Sequence, residues 1–332
     1  MVDIALKAGV SQATVSLVLN DVANARISPA TRQRVKSIAA DLGYSRKSPG
    51  ARASSVRVIG MLIDEVTTTP FASPLIEGAR DAAAAEGCIV AVFCTHGDPA
   101  AETAALEVLA ATALVGLLYT TLVTRAVTPP ASLGDVPVVL LNCHEAQGRF
   151  PSVVPGDVTG GSAATAALIA SGHRRVAHIA GEEWGEASRD RARGYRRALT
   201  SHGIPFDPAL LVGPAWTVDS GREMTLRLLD LPAPPTGIFC FNDRAAIGAY
   251  EAAALRGLRI PADLSIVGFD DEDLVANLLP PLTTVVLPHD EMARTAVAVL
   301  GAMAADRAPQ RTRRIRIDCG LVARASVGAP AV

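Results

Sequence analysis

The chain has 332 residues, 49% of them hydrophobic and 19% charged, with a formal net charge of −2. That balance excludes intrinsic disorder, and the length fits about two to three globular domains. No apolar run reaches the roughly 18 residues of a spanning helix, and Asp3 and Lys7 interrupt any leader-like apolar segment at the start. A cytoplasmic protein with no membrane partner is therefore expected.

In chain order, MVDIALKAGVSQATVSLVLN reads as a helix, a turn and a second helix. Ala5 marks a point where two helices cross too closely for a larger side chain. Gly9 suits a turn conformation that glycine adopts without steric cost. Ser11 is an N-cap, and Val15 and Val18 share one face of the second helix. In a helix-turn-helix the second helix enters the DNA major groove; the competing reading is an ordinary corner between two helices. A third helix opens at Ser28-Pro29, carries Val35, Ile38, Ala39 and Leu42 at helical spacing, and stops at Gly43. The polar stretch YSRKSPGARASS follows as a linker.

Charge divides along the same line. Residues 1–55 hold eight basic side chains (Lys7, Arg26, Arg32, Arg34, Lys36, Arg46, Lys47, Arg52) against Asp3, Asp21 and Asp41, a surplus of five. The remaining residues must then carry −7. A basic head on an acidic body suits phosphate contact by the head alone.

From Val56 buried strands and amphipathic helices alternate. Strands are predicted over 56–64, 89–95, 115–120 and 136–142, with helices over 74–87 and 100–112. A second cycle has helices over 162–173, 188–203, 220–231 and 244–258 and strands over 175–181, 209–213, 236–242 and 264–270. This alternation implies parallel sheets covered by helices, and two such lobes imply a cleft at the strand carboxyl ends. The fold class is α/β: a small all-α head plus a two-lobed core.

The five cysteines (Cys88, Cys94, Cys143, Cys240, Cys319) form no CxxC pair and sit in apolar runs, so reduced buried thiols are expected and no metal site. Cys143 and His144 adjoin on a strand and point to opposite faces, which argues against a nucleophile pair. No GxGxxG follows the first strand and no GxxxxGK[ST] occurs, so no nucleotide cofactor is expected. The Gly pair at 160–161 is taken as a helix entry.

These strings together resemble the LacI/GalR (lactose-repressor/galactose-repressor) family of bacterial transcription factors over essentially the whole chain. DIALKAGVSQATVSLVLN resembles its helix-turn-helix and RISPATRQRVKSIAADLGY its third helix. SGHRRVAHIAG, RARGYRRAL, FNDRAAIGAYEAAALRGLRIPADLSIVGFDD and PPLTTV resemble its effector domain, in the family's order. The resemblance implies a periplasmic-binding-protein-like core crossed three times by the chain. It divides the chain into a head (1–45), a hinge (46–55) and a core (56–332). The N-lobe is expected at about 56–155 and 286–316, the C-lobe at about 156–285 and 317–332.

The resemblance also places an effector, most often a sugar or nucleoside-like molecule, in the cleft. It implies contacts from Arg191 as a forked donor, Asn242 as donor and acceptor, and Asp270 as acceptor, with Trp216 stacking on a sugar ring and Phe71 as a lid from the other lobe. The competing readings are turn capping for Asn242 and Asp270, core packing for Trp216 and a surface ion pair for Arg191. Asp243 and Asp271 are expected to cap helices, and His173 to be structural. On DNA the family pattern puts Gln12, Ala13 and Leu17 at base edges, with Gln12 able to pair with adenine; Leu17 could instead pack inside the head. Ser11, Thr14, Ser16 and Asn20 are expected at phosphates.

Two features depart from the family. Its usual residues before the position of Met1 are absent, so a longer native start is expected. The linker lacks the Leu that relatives wedge into the minor groove, and Pro49 and Gly50 oppose a hinge helix, so weaker operator bending is expected. A two-fold homodimer on a near-palindrome is implied. The final residues lack leucine periodicity, so no tail-borne tetramer is expected. Two alternatives compete with a repressor. A transport solute-binding protein would need a signal peptide and no basic head. A sugar-active α/β enzyme would need a catalytic constellation, and no HExxH, GxSxG or paired Cys/His arrangement occurs.

Overall fold

The computed structural model describes residues 2–19, 27–42, 56–66, 70–130, 133, 136–305 and 313–331. It separates into two compact units, 1–54 and 55–332. Asn20, Gly43 and the linker 46–55 lie outside the described residues, as does the hinge-helix question.

The first unit holds α1 (Val2–Ala8), α2 (Gln12–Leu19) and α3 (Pro29–Asp41). Gly9 turns the chain at φ +63°. Ser11 and Ser28 cap the next two helices, their Oγ atoms accepting from the backbone N–H of Thr14 and Thr31 at 3.1 Å. Ile4, Ala5, Ala8, Val15, Val18, Val35 and Ala39 close into a small core. Leu42 stays largely outside it.

The second unit contains two six-stranded sheets. The first lobe is built from β1 (Arg57–Ile63), β2 (Cys88–Cys94), β3 (Ala113–Ala126), β4 (Val138–His144), β5 (Ser152–Pro155) and, much later, β11 (Arg314–Ile317). The second has β6 (Val176–Ile179), β7 (Leu211–Val212), β8 (Gly237–Cys240), β9 (Ser265–Asp270), β10 (Thr283–Val286) and β12 (Leu321–Val322). The sheet orders are β11-β5-β4-β3-β1-β2 and β12-β10-β9-β8-β6-β7. All pairings are parallel except β10 with β12. Central strands are apolar on both faces because helices cover both: β1 is buried at every position but Arg57.

Helices α4 (Ala72–Ala85), α5 (Pro99–Ala110) and α10 (His289–Ala304) pack on the first sheet. Helices α6 (Asp157–Ala170), α7 (Glu186–Ser201), α8 (Val218–Leu229) and α9 (Asp243–Leu255) pack on the second. The chain passes between sheets after β5, after β10 and after β11. No described helix is long and apolar enough to cross a membrane.

Three sequence expectations change. The Gly pair at 160–161 lies inside α6, which starts at Asp157. A Cβ on Gly161 would sit 2.5 Å from the Arg191 carbonyl oxygen, and one on Gly194 would sit 2.3 Å from that of Val158, so these glycines let α6 and α7 touch along their backbones. β3 runs well past 120, to Ala126. Asp243 and Asp271 cap nothing. Asp243 is the first residue of α9 and accepts from the Glu272 N–H (2.8 Å) and the Thr284 hydroxyl (2.6 Å), while Asp271 pairs with Arg324 at 2.7 Å.

Candidate ligand cleft and candidate nucleic-acid interface

The strand ends of the two sheets border a cavity of about 380 Å³. Its floor is built around Arg191, on α7 and only 3% exposed. The backbone contact of α7 with α6 aims this side chain at Asp157 and Asp270. Nε donates to Asp157 Oδ1 at 2.8 Å, and Nη1 donates to the Phe241 carbonyl at 2.6 Å and to Asp270 Oδ1 at 3.4 Å. The guanidinium lies over the Phe269 ring at 3.5 Å and the Phe241 ring at 4.7 Å. Burial opposes its charge, but Asp157 and Asp270 outweigh it and move its pKa up. Burial pushes Asp270 well above the usual carboxylate range, against the pull of Arg191. Asp270 holds φ +117°, a backbone state rare outside glycine. Nη2 of Arg191 and Oδ2 of Asp270 have no partner among the described residues and are the groups left for a ligand.

The cleft brings together four of the five effector residues expected from sequence: Phe71, Arg191, Trp216 and Asp270 line it. Asn242 is not among the lining residues. Asn242 is the N-cap of α9: Oδ1 accepts from Ala245 N–H at 2.8 Å and Nδ2 donates to the Trp216 carbonyl at 3.0 Å, with the side chain 2% exposed. Its polar ends are spent on holding the Trp216 backbone. Thr217 and Ser220 fix the same segment through a reciprocal cap on α8, and the Trp216 ring tilts on Phe241 at 5.4 Å. Phe71, immediately before α4, faces in from the first lobe.

Several cleft residues escaped the sequence reading. Leu122, Val123 and Thr124 reach it because β3 bulges against β4 between Thr120 and Arg125. Asn142 pins the bulge at φ +57°, donating to the carbonyls of Thr121 and Leu122 (both 3.0 Å) and accepting from the Thr124 hydroxyl (2.6 Å). Glu65, Glu182, Trp184, Ser188 and His289 complete the polar and aromatic lining. The one signal that could have marked them is position: each falls beside a strand end or a helix start.

Cys143 and His144 diverge. The Cys143 thiol donates to the Tyr119 carbonyl at 3.3 Å, and burial pushes it up to about 12, far from a reactive thiolate. His144 Nε2 meets Glu186 Oε2 at 2.7 Å, joining β4 of the first lobe to α7 of the second. Cys94 departs from the buried-thiol expectation, being exposed. His173 bridges Thr236 (2.8 Å) and the Gly328 carbonyl (2.9 Å) inside the second lobe. No group of three or more metal-ligating side chains occurs among the described residues.

In the head, Gln12, Ala13 and Leu17 face outward on α2 while Val15 and Val18 are fully buried. Leu17 is 39% exposed, so it does not fill the head's core. Ser11 is exposed, and Thr14 and Ser16 are half-buried. Ser11 Oγ and Thr14 Oγ1 also share a hydrogen bond at 2.9 Å.

A three-helix head with an exposed second helix, joined in sequence to a two-lobed binding core, defines a ligand-binding DNA regulator. A family model described as "Bacterial regulatory proteins, lacI family" matches residues 1–47, and one described as "Periplasmic binding protein-like domain" matches 165–327. The HTH-type transcriptional repressor CytR of Escherichia coli (strain K12) is 34% identical over 337 residues, covering 99% of this chain and 96% of that protein. The structure of the transcriptional regulator CelR–cellobiose complex is similar at a TM-score of 0.67 and 27% identity, covering 97% of this chain and 98% of that one. The lac repressor dimer bound to operator and the anti-inducer ONPF is similar at a TM-score of 0.67 and 27% identity, covering 98% of each. This chain belongs to the lacI family of bacterial regulatory proteins.

Proposed function

We propose that this chain is a cytoplasmic, ligand-responsive transcriptional repressor acting as a homodimer on a near-palindromic operator. Residues 1–45 form the DNA-reading head, 46–55 the linker and 56–332 the effector core. A sugar or sugar derivative binds between the lobes and is not chemically altered. The observation that carries this reading is the cleft itself: Arg191 and Asp270 each offer one unpaired terminus to vicinal hydroxyls, with Trp216 available for stacking on a ring. The relative seen with cellobiose supports the ligand class, and the relative seen as an operator-bound dimer supports the assembly.

On DNA, Gln12 supplies the base-specific hydrogen bonds, and Ala13 and Leu17 offer apolar contact to thymine methyls. Ser11, Thr14, Ser16 and Asn20 meet phosphates and set register. The exposure of Gln12, Ala13 and Leu17 on one helix favours this assignment. Two-fold pairing draws support from the apolar edge of the first lobe, where Ile89 on β2 and Val108 on α5 are more than half exposed.

Selection of bound DNA from a random pool, repeated with ribose, cellobiose and adenosine, tests the proposal. A two-fold symmetric motif whose recovery changes with one of these compounds is the expected result. No symmetric motif under any condition rules out the DNA half. Asp270→Ala is expected to abolish the ligand response and leave operator affinity within about twofold. Loss of both would assign Asp270 to folding instead.

A further inference from the structure

His289 opens α10, just past the point where the chain crosses from β10 back to the first lobe, and it lines the cleft. Its ring meets Phe71 edge-on at 5.8 Å and 64°. The side chain is 2% exposed, yet neither ring nitrogen has a hydrogen-bond partner among the described residues, and Nε2 is wholly enclosed. Buried polar atoms are nearly always paired, because an unpaired one keeps the cost of its lost hydration. Nε2 has no accessible surface for a ligand to reach, so it is Nδ1, also without a partner among the described residues, that can meet a ligand at the cavity wall. Burial, helped by Arg191, holds the imidazole pKa down at about 3. The ring therefore brings one N–H donor and one lone pair and no charge.

The charges around it restrict what that ligand is. Among the described residues Arg191 is the one cationic residue lining the cleft, and Asp157 and Asp270 already hold it. The acids lining the cleft are Glu65, Glu182 and Asp270. Helix N-termini are the usual alternative anion sites. Those of α6, α7 and α10 carry Asp157, Glu186, and Asp290 with Glu291, in their first turns, whereas α4, which follows Phe71, has no acid there and offers backbone N–H groups alone. An incoming phosphate would lose its hydration without gaining an unspent cation.

We infer that His289 is a specificity-determining residue that hydrogen-bonds an uncharged, hydroxyl-bearing effector, in a cleft whose acidic lining turns away phosphorylated forms of the same compound. This rests on the sugar-effector reading above and deepens it. Nothing in the fold demands a histidine here: an apolar ring would fill the same space against Phe71 and carry no desolvated nitrogen.

The chain's two tryptophans, Trp184 and Trp216, both line the cleft, so intrinsic fluorescence reports its occupancy. Ribose, cellobiose and adenosine are titrated beside ribose 5-phosphate, cellobiose 6′-phosphate and adenosine monophosphate, using the full chain and His289→Phe. One uncharged probe is expected to bind at least tenfold tighter than its phosphate. His289→Phe is expected to weaken that probe about tenfold without lowering the melting temperature of the ligand-free protein, and His289→Gln to recover part of the loss. If Phe does not fit beside Phe71, His289→Leu reads the same loss. A phosphate bound as tightly as its parent, or His289→Phe binding as the parent chain does, overturns the inference while the sugar reading stands. Silence of all six probes overturns the sugar reading, and the inference with it.

Discussion

His178 and Asp243 sit inside the second lobe with opposite electrostatic consequences. His178 stacks on Phe239 at 4.4 Å and 11°, and donates from Nδ1 to the Phe239 carbonyl at 3.0 Å; its Nε2 has no partner among the described residues. Burial lowers its pKa to about 4. The unfolded chain therefore takes up a proton below about pH 6.5 that the folded chain refuses until about pH 4. Stability is lost as pH falls through that window. Asp243 runs the other way. Burial raises it to about 7, so its contribution is present at low pH and is lost as pH rises from the unfolded carboxylate value toward 7. The two partly cancel in the intact protein, which makes a difference measurement the useful one. Denaturant unfolding of the parent chain and His178→Phe should diverge on acidification. Between pH 7 and pH 5 the variant should gain about 2 kcal/mol relative to the parent, from about 1.4 kcal/mol per pH unit over most of that interval. Parallel pH profiles would mean that His178 takes up its proton in the folded state as an ordinary histidine does.

Packing of α6 against α7 decides where Arg191 points. Gly161 and Gly194 face each other across that contact, and Gly221 and Gly248 repeat the device between α8 and α9, where a Cβ on Gly248 would lie 2.1 Å from the Val218 carbonyl oxygen. Backbone cannot yield as a flexible side chain can, so Gly194→Ala must push the helices apart. The expected cost is about 1–3 kcal/mol in unfolding free energy. An added loss of sugar response is expected at temperatures where the variant is still folded, because Arg191 moves with α7. Unimpaired response in a folded but destabilised variant would separate the helix contact from the site. The helices themselves were legible in sequence: α4, α7, α8 and α9 show apolar positions at the helical period, and the central strands are unbroken apolar runs. What escaped reading has physical causes. β5 and β10 are four residues long and β12 two, too short for any period to register. The β3 bulge depends on Asn142, whose partners lie about twenty residues away in sequence. Asn242 and Asp270 both close an apolar run in the sequence, yet one caps a helix start and the other ends β9 at the cleft. Asp270 holds φ +117° and Asn242 the extended backbone of an N-cap, a difference no sequence period registers. α10 is legible by its period, since Met292, Ala293, Ala296, Val297 and Leu300 recur at helical spacing and are all buried.

Across the whole core, the lobes are tied by the three chain crossings and by the His144–Glu186 hydrogen bond, while the basic head and acidic body keep DNA contact and ligand contact on separate parts of the chain. Such a division is useful only if a single head is too weak alone. A head of about 45 residues places few side chains on bases, and affinity then depends on linking two half-sites. The proposed dimer face supplies that link. β2 is an edge strand of the first sheet, and Ile89 lies on the same face of it as Ala91 and Phe93, which pack toward the cluster that α5 covers. Ile89 and Val108 are 53% and 57% exposed, a costly display of apolar surface unless a second copy buries it. Replacing both with lysine puts like charges against their two-fold mates, since a symmetric interface meets every change twice. The expected outcome for Ile89→Lys with Val108→Lys is a monomer by sedimentation. Operator affinity should fall by about 10²–10⁴, the scale of a lost second attachment. Sugar binding in the cleft should remain near the parent value, because neither residue lines it. A double variant that still sediments as a dimer moves the two-fold axis to another face of the core.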